Sequence, residues 1–392
     1  MGVQLTKEQR EAVENRGGSL LVSAAAGSGK TKVLVERLFR YLTDPAHPAD
    51  VTDFLIITYT KAAAAELKMK IAAELSERLA EDADNVHLQK QALLIYRADV
   101  RTVDSFCTNL LRENIHLVGG GDCPLTPDFR VLDEQEASLL RAQVLERVLE
   151  EFYDAMEEGD GASLLADTIG AGRDDSALAA LVLQIFEKVQ SHAYPLQWLA
   201  DQEAYWTQLP DTIDNTPYGR ELMDDAKNVL TYWDGMFAAV CREMEADEDL
   251  AQKYLPAFTA ARENFQAFLS LLGQGWDAAS GGTLSFERLK AVRGENALKE
   301  YAKSLWDLCK KDCEKIRKRF SVTNAQMRED LARMAPAMRA LLRLCDAFAR
   351  AYAAEKLRRN ATDFSDQEHF ALKLLADESG APTELGKSDS GH

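Results

Sequence analysis

A glycine-rich segment near the start of the chain has the residue types of a phosphate-binding loop. Gly27 and Gly29 allow consecutive backbone N–H groups to point into one concavity, Lys30 can reach the β and γ phosphates of a nucleotide, and the Thr31 hydroxyl can ligate Mg²⁺. The alternative is a glycine-rich turn that merely caps a helix. The segment consists of Ala24, Ala25, Ala26, Gly27, Ser28, Gly29, Lys30 and Thr31.

Alternating apolar and amphipathic segments surround this loop and predict the elements that position it. Residues 19–23 have the composition of a buried strand and enter the loop, and an amphipathic helix leaves it. Further strands are predicted at 53–58 and 100–102, and further helices at 61–79 and 104–116. Such alternation is typical of a parallel α/β fold with its active groups at the carboxyl ends of the strands.

The pattern of apolar residues along the sequence changes after the three glycines at 119–121. One more short strand is expected at 129–132, and from there to about residue 359 the apolar residues recur almost only at helical spacing. Residues 363–366 then begin a last helix that runs to about residue 375. Asp363 and Asp366 suggest either a helix cap, which we favour, or a metal site.

Charge is distributed unevenly along the 392 residues. The formal net charge is −18, of which residues 1–120 carry −1 and residues 121–392 carry −17. Extensive contact with nucleic-acid phosphates is therefore not expected from residues 121–392. One basic cluster in the helical region could guide duplex DNA or could be a solvated helix face; it contains Lys310, Lys311, Lys315, Arg317, Lys318 and Arg319.

The sequence has the features of a cytoplasmic protein. It shows neither a signal peptide nor an apolar run of the roughly 18 residues that a membrane helix needs. The six cysteines are scattered, so we expect reduced thiols. Cys309 and Cys313 lie close together but lack partners at zinc-site spacing.

Three further segments, in order around the phosphate loop, carry a resemblance to a known family. Residues 5–13 resemble the Q motif of superfamily-one DNA helicases of the UvrD/Rep/RecB group, residues 58–67 resemble their motif Ia, and residues 101–107 resemble motif Ib. Two positions depart from the usual pattern: Lys61 stands where an Asn is usual, and Asp104 where many members have His.

The resemblance implies an incomplete RecA-like P-loop motor domain, with ATP and Mg²⁺ as cofactors and DNA as substrate. Lys30 and Thr31 would be the catalytic residues, with Mg²⁺ held by Thr31 through the nucleotide. The residues implied for ATP binding are Gln9, Ala24, Ala25, Ala26, Gly27, Ser28, Gly29, Lys30, Thr31, Lys32 and Arg37. The residues implied for DNA binding are Tyr59, Thr60, Lys61, Thr102 and Ser105.

Several of these residues have alternative interpretations. Gln9 could read an adenine through its amide or be a solvated helix residue. Tyr59 could stack on an unpaired base or pack against the sheet. Lys32 and Arg37 could lie near the ribose and phosphates or be ordinary surface residues of the helix that follows the loop.

Within this group, residues 105–107, 111–114 and 363–369 resemble the helicase/nuclease subunits of the AddAB type. The resemblance implies a motor domain 1A formed by residues 1–135 and 362–392, and an all-helical inserted domain 1B formed by residues 136–361. Its partners would be single-stranded and duplex DNA ends and a second subunit of the AddB type. The implied process is the processing of double-strand ends for recombinational repair.

A P-loop motor also needs an acidic strand end and arginines from a second motor domain. We find no apolar strand ending in Asp-Glu after Leu132, so we expect an N-terminal fragment that is inactive alone. Two other functions stay open: a repair helicase of the same group without a nuclease, and a non-catalytic nucleotide-gated scaffold that docks a protein.

Overall fold

The computed structural model describes residues 5–25, 27–118, 125–169, 176–294, 296–377 and 379–389. The chain divides into two compact units. The first comprises Met1–Glu146, Gln190–Tyr194 and Ala349–His392, and the second comprises Arg147–Val189 and Pro195–Phe348.

Helices dominate both units. The strands are β1 (Leu55–Thr58), β2 (Asp99–Thr102), β3 (Arg130–Val131) and β4 (Ala361–Thr362). The helices up to residue 207 are α1 (Lys7–Glu14), α2 (Lys30–Leu42), α3 (Lys61–Glu81), α4 (Val86–Leu94), α5 (Val103–Glu113), α6 (Glu134–Asp154), α7 (Gly161–Ile169), α8 (Ser176–Val189) and α9 (Pro195–Thr207). The later helices are α10 (Pro217–Met244), α11 (Glu248–Lys253), α12 (Leu255–Gln274), α13 (Trp276–Ser280), α14 (Ala297–Arg319), α15 (Asn324–Arg358), α16 (Phe364–Leu375) and α17 (Glu384–Asp389).

Two small parallel sheets lie in the first unit. In one, β1 pairs with β2 in a register that sets Leu55 beside Asp99 and Thr58 beside Thr102. In the other, β3 pairs with β4. Helices α2, α3 and α4 cover the first sheet through a buried cluster. Its largest members include Phe39, Leu42, Ile71 and Leu75. The parallel strands that the α/β prediction requires are therefore present, but only as two small sheets.

The predicted buried strand at 19–23 is wrong. Residues 19–25 form neither helix nor strand, and Leu21 is 93% exposed, with Leu20 and Val22 also exposed. A strand requires a neighbour that pairs with its backbone N–H and C=O groups. Among the described residues, β1 and β2 pair only with each other, so the apolar segment has no strand beside it. Leu55 and Ile57 of β1 lie on one face of the strand and are half-exposed, so this face is not fully covered, although the sequence predicts a buried strand there.

Helix α16 packs on α5, although more than 250 residues separate them along the chain. Leu110 and Leu111 of α5 share a buried cluster with Phe129 and with Leu374 of α16. This cluster brings the segment after β4 into the first unit. The short parallel pairing of β3 with β4 holds the start of that segment in register.

The second unit consists of packed helices with an aromatic core. Phe237 of α10, Phe258 of α12 and Trp306 of α14 contact one another, with ring centroids 4.5 to 5.8 Å apart. The Asp214 carboxylate accepts hydrogen bonds from the Trp276 backbone N–H at 2.5 Å and from the Asn324 amide at 2.9 Å. The helical spacing of apolar residues in this part of the sequence is thus explained by burial along these helices.

No described helix is both long enough and apolar enough to cross a membrane.

Candidate nucleotide site and neighbouring groove

The glycine-rich loop adopts a conformation that only glycines reach easily. Gly27 has φ 77° and Gly29 has φ 85°, and α2 begins directly after the second glycine. Gly29 is the N-cap of α2 and provides no side-chain cap, so the first N–H groups of the helix are left for another acceptor. These N–H groups and the helix dipole favour an anion at this end. Ala26, also predicted to bind ATP, lies outside the described residues.

The Lys30 ammonium closes the loop. It donates hydrogen bonds to the Ala24 carbonyl at 2.5 Å and to the Ala25 carbonyl at 2.8 Å. No carboxylate among the described residues forms an ion pair with it. The side chain is exposed, so its charge is compensated only by two carbonyl dipoles and by solvent. A phosphate group would be a stronger partner for this ammonium than either carbonyl.

Gln9 ties α1 to the loop. Its side-chain oxygen accepts from the Thr6 N–H at 3.0 Å, which completes a capping box, and its side-chain nitrogen donates to the Ser28 carbonyl at 3.0 Å. A Cβ on Gly29 would lie 3.3 Å from that nitrogen. Both ends of the amide therefore have protein partners, and each retains one further hydrogen-bonding site. Gln9 therefore positions the loop, a role that the sequence alone does not reveal.

The other residues predicted to bind the nucleotide do not all face the loop. Thr31 is exposed in the first turn of α2, and Lys32 lines a cleft of about 690 Å³ between α2 and α3. Arg37 donates to the carbonyls of Ala12 at 2.6 Å and of Asn15 at 2.7 Å. Its guanidinium thus binds the end of α1 rather than the loop.

The predicted DNA-binding residues converge on one groove. Tyr59, Lys61, Thr102 and Ser105 all line a cavity of about 550 Å³ at the carboxyl ends of β1 and β2. The ring of Tyr59 is fully exposed, so it does not pack against the sheet. Thr60 is the N-cap of α3 and accepts from the Ala63 N–H at 3.1 Å.

Thr102 has a structural role within this groove. It is buried and is the N-cap of α5, where its hydroxyl oxygen accepts from the Ser105 N–H at 3.2 Å. It also donates to the Ser105 hydroxyl at 2.9 Å. These bonds fix the first turn of α5 against the end of β2 and leave the Ser105 hydroxyl proton available to a ligand.

Residues outside the predicted DNA-binding set complete the groove. Four of them are charged or polar and come from the helix and turn beside the predicted residues: Asp104, Asn109, Arg112 and Asp133. Gln367 of α16 is fully buried, and its side-chain oxygen lies 2.6 Å from the Thr108 hydroxyl of α5. A separation of 259 residues hides this pair from local sequence patterns.

Asp363 and Asp366 act as a helix cap. Asp363 is the N-cap of α16, and the two residues form a reciprocal capping box. The Lys356 ammonium lies 2.8 Å from one carboxylate and 2.6 Å from the other. Burial opposes ionisation of Asp363, but Lys356 keeps the pKa of that carboxyl below its usual value. The capping interpretation is therefore confirmed, and the space between the carboxylates holds an ammonium.

Within the described ranges, no three His, Cys, Asp or Glu side chains are placed to hold a metal ion. Five of the six cysteines are described, and each is a buried free thiol. Cys123 lies outside the described residues.

The basic cluster on α14 is partly neutralised. Lys315 pairs with Asp312 at 2.9 Å, and Arg319 pairs with Asp225 at 2.7 Å. Lys318 lies 3.5 Å from Glu314. These contacts reduce the positive charge that the cluster offers to a polyanion.

Comparison with known proteins identifies the family to which the chain belongs. The chain matches the model described as UvrD/REP helicase N-terminal domain over residues 5–387. It is 32% identical over 380 residues to an ATP-dependent helicase/nuclease subunit of Ruminiclostridium cellulolyticum, covering 95% of this chain and 30% of that protein. The protein of the same name from Heliobacterium modesticaldum is 35% identical over 408 residues, covering 96% of this chain and 28% of the relative.

A third relative, from Pelotomaculum thermopropionicum, is 36% identical over 398 residues and has the same name, with 95% of this chain and 29% of that protein covered. The chain thus spans about 30% of the length of the curated relatives it matches. The resemblance carried by the sequence motifs is confirmed. Because the family model covers nearly all of this mostly helical chain, with its two small parallel sheets, the chain belongs to the UvrD/REP helicase N-terminal domain family.

Proposed function

We propose that this chain is the ATP-binding and DNA-contacting part of an ATP-dependent DNA helicase within a helicase-nuclease. One observation carries the proposal: the phosphate loop and the groove that collects Tyr59, Lys61 and Ser105 lie in the same compact unit. A motor needs both a nucleotide site and a strand contact in one body, so that changes at one site alter the other. The process served is the repair of double-strand ends.

The loop residues fit a nucleoside triphosphate. The uncapped start of α2 and the backbone of Gly27 and Gly29 would receive phosphate oxygens, and Lys30 would exchange its two carbonyl partners for them. Thr31 would ligate Mg²⁺ through the nucleotide, and the metal would neutralise phosphate charge. Gln9 would hold the loop while its remaining hydrogen-bonding sites face the adenine.

The groove residues fit single-stranded DNA. Lys61 would contact a phosphate, and the exposed ring of Tyr59 would stack on a base, a contact that tolerates any base sequence. Ser105 would donate its hydroxyl proton, and Thr60 and Thr102 would hold the helices α3 and α5 that present these side chains.

The two compact units support a domain assignment. The first unit would be a RecA-like motor domain 1A, and the second an inserted helical domain 1B. The units divide within α6 and α15, at 146/147 and 348/349, some residues inside the sequence-based boundaries at 135/136 and 361/362, and the first unit also includes Gln190–Tyr194. A second subunit of the AddB type would complete the heterodimer, which would act in the cytoplasm on single-stranded and duplex DNA ends.

Equilibrium binding tests the nucleotide part of this proposal. A fluorescent ATP analogue should bind the chain in the presence of Mg²⁺, and Lys30→Ala should weaken that binding at least tenfold, or about 1.4 kcal/mol. Lys7→Ala, which removes an exposed lysine of α1, is the matched control and should bind as the wild type does. Equal affinities for wild type and Lys30→Ala would contradict the assignment.

A further inference from the structure

One buried side chain in the groove lacks a hydrogen-bond partner at one end. Gln367 lines the groove and is fully buried, yet the atom placed as its Nε2 has no partner. The other end of the amide contacts the Thr108 hydroxyl at 2.6 Å. Burying half of an amide unpaired is unfavourable, so this arrangement points to a ligand that supplies the missing partner.

The single proton of Thr108 decides which end of the amide is free. The hydroxyl lies 2.7 Å from the Asp104 carbonyl, which can only accept, and 2.6 Å from Gln367. One hydroxyl proton cannot serve both contacts. If it goes to the Asp104 carbonyl, Gln367 must turn its nitrogen to Thr108, and both contacts become hydrogen bonds. The amide oxygen is then the unpaired atom, and it requires a donor from the ligand.

The charges around the groove indicate a neutral ligand group. Lys61 and Arg112 are balanced by Asp104 and Asp133, all of which line the cavity. Apart from the phosphate that Lys61 would contact, a phosphate inside the groove would meet the Asp104 and Asp133 carboxylates, whereas a nucleobase is neutral and carries N–H donors. The exposed ring of Tyr59 at the same cavity offers the stacking surface that a planar base requires.

We propose that this groove receives one unpaired nucleobase, whose N–H group donates a hydrogen bond to the side chain of Gln367. The proposal rests on the proposed function, because it concerns the same single-stranded DNA. It adds a hydrogen bond to the edge of one base to the stacking and phosphate contacts already proposed. Thr108 is a positioning residue that orients the amide.

Fluorescence anisotropy with short single-stranded oligonucleotides tests this assignment on the 392-residue chain. A single abasic site is moved along the strand, and binding is compared for wild type, Gln367→Leu and Gln367→Met. In the wild type, one abasic position should weaken binding more than its neighbours do. Both variants should lose roughly two- to tenfold in affinity for the intact strand, which corresponds to one hydrogen bond. They should bind the strand with that abasic site as the wild type does.

The control variant is Gln252→Leu, which replaces an exposed glutamine of α11 in the second unit and should leave every affinity unchanged. Thermal melting of each variant reports folding, and the leucine is expected to be tolerated because it removes an unpaired buried amide.

The outcomes separate the two proposals. If binding depends on Lys61 and Tyr59 but the abasic profile is the same in Gln367→Leu as in wild type, the base contact is overturned and the proposed function stands. If the wild type binds no single-stranded DNA, both are overturned.

Discussion

Lys356 of α15 and Asp363 at the start of α16 form an ion pair of 2.8 Å in the interior of the first unit. Lys356 is only 4% exposed, and its ammonium also lies 4.1 Å from the centre of the Tyr352 ring. The pair joins the last turn of α15 to the cap of α16 across the short strand β4. It therefore fixes the direction in which α16 leaves the sheet and approaches α5.

Removing the charge of Lys356 should be strongly destabilising. Lys356→Met leaves the buried Asp363 carboxylate and the partly buried Asp366 carboxylate without a counter-ion, and we expect a loss of about 3–5 kcal/mol in the free energy of unfolding at neutral pH. Urea denaturation measures this loss in the free energy of unfolding. The double variant Lys356→Met/Asp363→Asn should recover part of the loss. A single variant as stable as the wild type would show that the pair is not a structural lock.

The lowered pKa of Glu355 predicts that the stability of the fold decreases over a specific range of acidic pH. Hydrogen bonds from Arg358 and Arg359 lower the pKa of Glu355 to about 2. Because the folded pKa lies below the unfolded one, the stabilisation is fully present above about pH 4.5 and is lost as the pH falls towards 2. Glu355→Gln should therefore be less stable than wild type at neutral pH, and the difference should shrink over that acidic interval.

Denaturation at a series of pH values measures this difference. Glu150→Gln, at an exposed position of α6, is the matched control, and its difference from wild type should vary little over the same interval. A Glu355→Gln difference that stays constant between about pH 5 and 2 would contradict the expectation.

Gln9 should have two separable effects. Gln9→Ala removes both the side-chain half of the capping box of α1 and the bond to the Ser28 carbonyl, so it should cost about 1 kcal/mol in stability and weaken ATP-analogue binding. Gln9→Glu keeps an oxygen for the Thr6 N–H but loses the donor to the loop. We expect it to preserve stability while it weakens nucleotide binding. If Gln9→Glu bound the analogue as the wild type does, the loop would not need this tether.

Tyr59 should affect DNA binding without affecting folding. Its ring is fully exposed, so Tyr59→Ala should leave the thermal midpoint unchanged and should cost roughly 1–3 kcal/mol of single-stranded DNA binding. Tyr59→Phe keeps the stacking face and should bind almost normally. A loss in Tyr59→Phe as large as in Tyr59→Ala would assign the contact to the hydroxyl instead of the ring.

The features that the sequence predicts well depend on local chemistry. The glycine spacing around Lys30 specifies a backbone shape that neighbours along the chain can form by themselves. Tyr59 and Ser105 can be placed at one edge because parallel strands end on the same side of a sheet. In contrast, residues 19–23 are wrongly predicted as a strand because pairing depends on distant segments. Gln367 escapes prediction because nothing in its neighbourhood distinguishes a buried, half-paired amide from a solvated one.

The exposed apolar residues before the phosphate loop and on β1 also affect how readily the chain aggregates. Leu21 stands in an irregular segment without strand partners, and Leu55 and Ile57 face outward from a two-stranded sheet. Exposed apolar residues of this kind favour association with the apolar surfaces of other molecules. Molecules kept apart at low concentration should stay monomeric, whereas a high concentration should favour association through these apolar residues. These residues, some of which directly precede the nucleotide loop, therefore set an upper limit on the concentration at which the chain remains dispersed.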